Sequence, residues 1–112
     1  MPIILSKSSK KDKKYMMTFS EDGKRSKTTH FGQAGARDFT LINKKSSQFY
    51  LPKKEDREKV KANYKSRHSK DPINKPYTAG ALAMHLLWNK PTLSASIKDY
   101  ERRFGLDIVN RI

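Results

Sequence analysis

The chain has 112 residues, of which 35% are hydrophobic and 32% charged, and its formal net charge is +14. That length suits one domain with a modest core, and such a charge repels itself in a compact state while attracting polyanions or acidic surfaces. With no cysteine, disulfides and thiolate metal sites are excluded, which favours an intracellular or particle-enclosed setting over a small secreted one.

The charge is uneven. Residues 1–30 carry eight Lys/Arg against three acids, residues 31–70 eleven against four, and residues 71–112 six against four. The opening "MPIIL" is too short for a signal peptide core, and no apolar run approaches membrane-spanning length. Residues 1–14, with the run "SKSSKKDKK" from Ser6 to Lys14, read as a flexible basic arm that orders only against a partner.

A single domain is expected over residues 15–105. Tyr15, Met17 and Phe19 alternate with Met16 and Thr18, the period of a strand with one buried face. Asp22-Gly23 punctuates a turn, and "KTTHFG" returns as the second strand of a hairpin. Phe39 to Ile42 reads as a short third strand, with a weaker strand signal at Gln48 to Leu51. Asp38, beside two glycines, suits a turn in which its carboxylate accepts backbone hydrogen bonds.

Helices follow. Lys53 to His68 has Glu55, Asp56 and Glu58 early and Lys65, Arg67 and His68 late, matching the helix dipole at both ends. Its apolar stripe is narrow, Val60 and Tyr64, so it reads as a surface helix. Thr78 is a candidate N-cap for a helix reaching Asn89, which Pro91 closes. Thr92 or Ser94 caps a final helix in which Leu93, Ile97, Tyr100 and Phe104 share one face, and Gly105 fits the position just past its end. Residues 106–112 form a short apolar tail able to dock on the domain or on a neighbour. The fold expected is α+β, a small antiparallel sheet packed against two or three helices.

Residues for catalysis are hard to find. His30, His68 and His85 have no second ligand at metal spacing, and Asp99 and Glu101 read as solvent-side partners for nearby arginines. There is no nucleophile elbow and no phosphate loop. The expectation is a protein that is not an enzyme, with no cofactor and no metal. Tyr15, Phe19 and Phe31 could serve as a base-stacking platform, but a core face is the better reading, and Trp88 reads as a core anchor.

Basic clusters are the strongest chemical signal. Lys7, Lys10, Lys11, Lys13 and Lys14 crowd the arm; Lys24, Arg25 and Lys27 crowd the hairpin turn; Lys53, Lys54, Arg57, Lys61, Lys65 and Arg67 decorate the first helix. Lysine dominates the arm, which suits phosphate or acidic-surface attraction better than bidentate base reading. The plainer reading of the helix cluster is a solvated face.

The order of landmarks, "HFG", "DFT", "REKVKANYKSRH", "TAG" and "LLWNKPTLSASIKDYERRF", resembles a family of small basic proteins encoded by large nucleocytoplasmic DNA viruses of algae and amoebae. The resemblance spans Tyr15 to Phe104 and brings no catalytic residues. It implies a virion protein, present in the host cell interior during infection. The leading expectation is a minor capsid or cement protein that binds other capsid proteins, acidic surfaces or polyanions. The alternative is a sequence-independent genome-associated protein on the DNA or RNA backbone; peripheral contact with an anionic membrane is compatible with either.

Overall fold

Alternation of apolar and polar residues builds the sheet from both ends of the chain. The computed structural model describes residues 3–20, 25–71 and 73–112. Four strands, β1 (Ile3–Lys7), β2 (Lys13–Phe19), β3 (Lys27–Gln33) and β4 (Ile108–Asn110), lie in the order β3-β2-β1-β4. The β1–β2 and β2–β3 pairs are antiparallel, with Leu5 opposite Met17 and Tyr15 opposite Phe31; β4 joins β1 in parallel. Ile3, Leu5, Met17, Phe19 and Phe31 are buried, as a one-sided period-2 pattern requires.

The expected hairpin is therefore present, and its Asp22-Gly23 turn lies outside the described residues. Two expectations, the flexible arm and the purely antiparallel sheet, are corrected here. Residues 3–14 are not a flexible arm, because Ile3 and Leu5 supply two buried core side chains and β1 is an interior strand. The lysine run is the tight turn that follows, closed by Ser8 N–H donating to Lys14 O and Lys13 N–H to Lys10 O. The tail docks on the domain itself as β4, so the sheet is mixed rather than purely antiparallel.

Phe39 to Ile42 is a helical turn, α1 (Phe39–Ile42), and not a strand. Asp38 decides this: its Oδ1 accepts from Leu41 N at 3.0 Å, an N-cap that closes the turn. Phe39 and Ile42, three apart, then bury on one side. The weaker signal at Gln48 to Leu51 is a loop, where Tyr50 N–H donates to Ser47 O and Leu51 N–H to Ile42 O.

The long helices lie where the sequence predicts them. In α2 (Lys54–Arg67) no residue is fully buried, and Val60 and Tyr64 pack at the core margin. Thr78 Oγ1 caps α3 (Ala79–Leu82), accepting from Ala81 N at 3.2 Å. The helix then widens into a π turn over Ala83–Leu87 instead of continuing regularly to Asn89, with Trp88 N–H reaching back to Ala83 O. Thr92 caps α4 (Leu93–Phe104), and Gly105 ends it at φ +63°, a left-handed conformation that favours glycine. Ile97 and Tyr100 of α4 are buried with Leu82, Leu86 and the sheet face, and the Tyr100 hydroxyl donates to Pro76 O. Aromatic Tyr15, Phe19 and Phe31 thus belong to the core side, with Phe19 stacked on Tyr77 at 4.0 Å.

Candidate polyanion-binding surface and cleft

Folding sorts twelve of the fourteen predicted cations into two groups. Three are structural. Lys14 Nζ donates to Asp38 Oδ2 at 2.6 Å and Ala36 O at 2.5 Å, with side-chain exposures of 13% and 3% for the ion pair. Arg57 braces the loop ahead of α2 by donating to Leu51 O at 2.7 Å. Lys61 donates to Asn89 O at 2.6 Å and lies 4.5 Å over the Phe39 ring; desolvation foremost, with Lys65 beside it, lowers its pKa.

Lys7, Lys10, Lys11, Arg25, Lys27, Lys53, Lys54, Lys65 and Arg67 are exposed, and none has a side-chain partner among the described residues. Lys13 is half-buried, and Lys24 lies outside the described residues. The exposed cations do not form one patch. Lys10 and Lys11 sit at the β1–β2 turn, whereas Lys27 pairs with Phe19 at the far end of β2, a strand length of about 20 Å away. Lys65 and Arg67 lie in the last turn of α2, and Lys53 and Lys54 at its start.

Several carboxylates are committed inward. Asp38 is a buried cap. Asp99 is also buried, not solvent-side as its spacing predicts: it accepts from Asn89 Nδ2 at 2.6 Å and from Arg102 and Arg103. The Asn89 hydrogen bond, followed by the two arginines, holds its carboxyl below the usual range against the opposing effect of burial. Glu101 accepts from Ile108 N and so ties α4 to β4.

The histidines are individually accounted for. His85 Nε2–H donates to Ile73 O at 2.9 Å. His68 Nδ1–H donates to Asp71 at 3.1 Å, and Ser8 Oγ lies 2.7 Å from His30 Nδ1. Among the described residues no group of three His, Asp or Glu side chains could hold a metal ion, and no helix is long and apolar enough to cross a membrane.

A cleft of about 480 Å³ opens between the start of β2, the end of β3 and the C-terminal turn of α2. Lys14, Arg37, Arg67, His68 and Trp88 line it, with Leu87 of the π turn in its wall. A ring stack runs along one side: Trp88 on Tyr64 at 4.3 Å and 8°, then Tyr64 on His68 at 4.2 Å. Burial first, then Asp71, pushes the Tyr64 hydroxyl up to about 12, so it stays a neutral ring within the stack. Arg37 is absent from the predicted cations because it stands alone in the sequence; only the fold brings it to the same cleft as Arg67. Gly32 lets the strand pass close here. It sits at φ +78°, and a Cβ would meet Leu87 Cδ1 at 2.8 Å.

A model described as a family of unknown function (DUF5754) matches residues 3–46. The matched stretch takes in β1, β2, β3 and α1, so residues 3–14 of the segment read from sequence as an arm lie inside it. No curated protein matches the chain, and no solved structure does.

Proposed function

We propose that this chain is a non-enzymatic polyanion-binding protein, acting as a structural component of a virus particle, with a nucleic-acid backbone as the favoured polyanion. The observation that carries this is the set of nine exposed cations with no side-chain partner among the described residues. Point charges spread over several elements suit phosphates along a strand better than one bidentate contact. The virus setting rests on the family resemblance. Contact would be made by the folded body, since both ends of the described chain are built into the sheet.

Anisotropy titration of labelled single-stranded and duplex DNA, at about 50 and 200 mM salt, tests the reading, because counterion release makes phosphate binding salt-steep. Affinity that drops at least tenfold between the two (roughly one decade is the low end for several contacts) supports it, and no binding at the lower salt ends it. Absence of the protein from purified particles would remove the virion setting.

A second reading, attachment to a neighbour in the particle shell, is favoured by the edge strand β4 with its exposed Val109 beside exposed Ile112. Pull-down of shell proteins that is lost in Val109→Lys would move the assignment there.

A further inference from the structure

The cleft supports a narrower statement than the surface charge does, and it rests on the polyanion reading above. Arg37 and Arg67 both line it, both are exposed, and neither guanidinium has a partner among the described residues. The one carboxylate in its wall, Asp38, does not compete for them. Its Oδ2 is held by Lys14, and its Oδ1 accepts from Leu41 N at 3.0 Å and the Thr40 hydroxyl at 2.5 Å. The Trp88–Tyr64–His68 stack gives the lining an aromatic part. Trp88 is buried at the closed end of the ring stack, and His68 stands at the open end with 41% of its side chain exposed.

We propose that this cleft takes a single nucleotide unit of a bound strand, with its phosphate on Arg37 and Arg67 and its base against the His68 end of the Trp88–Tyr64–His68 stack. Guanidinium matches phosphate geometry through paired N–H donors, and any base can stack on an aromatic ring without sequence reading. A bare phosphate would leave the aromatic and aliphatic wall unused, and an apolar ligand would leave two guanidiniums unmatched. The volume lies in the range of small-molecule sites. The wall contributed by Ala83 and Leu87 is the π turn, a deformation often found where a helix is shaped for a ligand.

The full chain is titrated with AMP, adenosine, inorganic phosphate and a short single-stranded oligonucleotide. Binding is read by emission of Trp88, the only tryptophan, and by amide chemical shifts. AMP is expected to saturate, with adenosine and phosphate each about tenfold weaker or more. Arg37→Gln and Arg67→Gln each lower AMP affinity about tenfold, the loss of a charge-assisted hydrogen bond. His68→Ala weakens AMP and adenosine by about fivefold or more and leaves phosphate unchanged. Lys10→Gln with Lys11→Gln weakens the oligonucleotide but not AMP.

An oligonucleotide that binds while AMP gives no saturable response overturns the cleft assignment and leaves the polyanion reading standing. AMP binding without oligonucleotide binding overturns the polyanion reading and the bound strand with it, and makes the cleft a site for a free nucleotide. AMP affinity unchanged in both arginine variants, with thermal melts showing them folded, also overturns the assignment.

Discussion

Lys14 and Asp38, twenty-four residues apart, meet at 2.6 Å with both side chains largely withdrawn from water. The pair joins the start of β2 to the cap of α1. Removing one partner leaves a charge buried and unpaired, so Asp38→Asn is expected to destabilise by about 3–5 kcal/mol. Lys14→Met should cost a similar amount, and the double variant Lys14→Met with Asp38→Asn should cost less than either change predicts by addition. Urea unfolding of the four proteins measures this. A loss below about 1 kcal/mol in the single variants would mean the pair is screened like a surface bridge.

Gly32 and Gly35 offer a matched comparison. Both have positive φ, +78° and +80°, but a Cβ at Gly35 meets nothing within 4 Å, whereas at Gly32 it meets Leu87 and Lys14. Gly35→Ala should cost about 1 kcal/mol, the left-handed backbone alone. Gly32→Ala should cost about 1–3 kcal/mol more, since Leu87 is nearly fully buried and cannot yield freely. Equal losses in thermal melts would show that the close approach at Leu87 relaxes.

Acid should weaken the fold through His85. Desolvation pushes its pKa below 6.5, partly opposed by the Ile73 carbonyl; Arg103 and Lys65 add to the lowering, and Asp99 opposes it. The unfolded state therefore binds the proton more readily. Stability is fully present above about pH 6.5 and falls as pH drops toward the lower folded value. His85→Gln should flatten that dependence between about pH 7 and 5. Asp99, held below its usual 3.8, is lost only at more acidic pH, so the two contributions separate. Urea midpoints that do not change from neutral pH to about pH 5 would contradict the assignment.

Two lysines one helical turn apart should behave oppositely. Lys61 holds Asn89 O and covers Phe39, so Lys61→Ala is expected to cost about 1.5–3 kcal/mol in stability, as for hydrogen bonds to charged groups. Lys65 is exposed with no such contact; Lys65→Ala should leave stability within about 0.5 kcal/mol. On the binding side, Lys65→Ala should reduce the salt slope for DNA by about 1 if Lys65 contacts a phosphate. Denaturation and salt titration of the same two variants check both halves.

How much was legible follows from which signals are local. The final helix could be read almost residue by residue: Leu93, Ile97, Tyr100 and Phe104 form its inner side, Gly105 ends it, and of the two candidate caps the structure takes Thr92. β1 was hidden because Ile3 and Leu5 give only two alternating positions before the lysine run begins. α1 reads as a strand in the sequence because "FTLI" is apolar and part β-branched; Asp38, legible only as a turn carboxylate, is the cap that makes it helical. The π turn has no signature in "AMHLL", which fits an ordinary helix equally well. At the surface, charge was visible but commitment was not. Nothing local separates Lys61 from Lys65, and the cleft draws Arg37 and Arg67 into one lining from thirty residues apart in the chain.

The parallel pairing of β4 with β1 also imposes an order in time. Ile3, Ile4 and Leu5 lie opposite Ile108, Val109 and Asn110, and Arg111 N–H closes on Leu5 O at 2.8 Å. During synthesis β3 is complete roughly 75 residues before β4 emerges, an interval of about 4–15 s at ordinary elongation rates. Throughout it, one side of β1 offers bare backbone donors and acceptors to any passing strand. The nascent chain is therefore most vulnerable to aggregation at the edge that the finished protein closes, and slowing translation between α4 and β4 would lengthen that exposure.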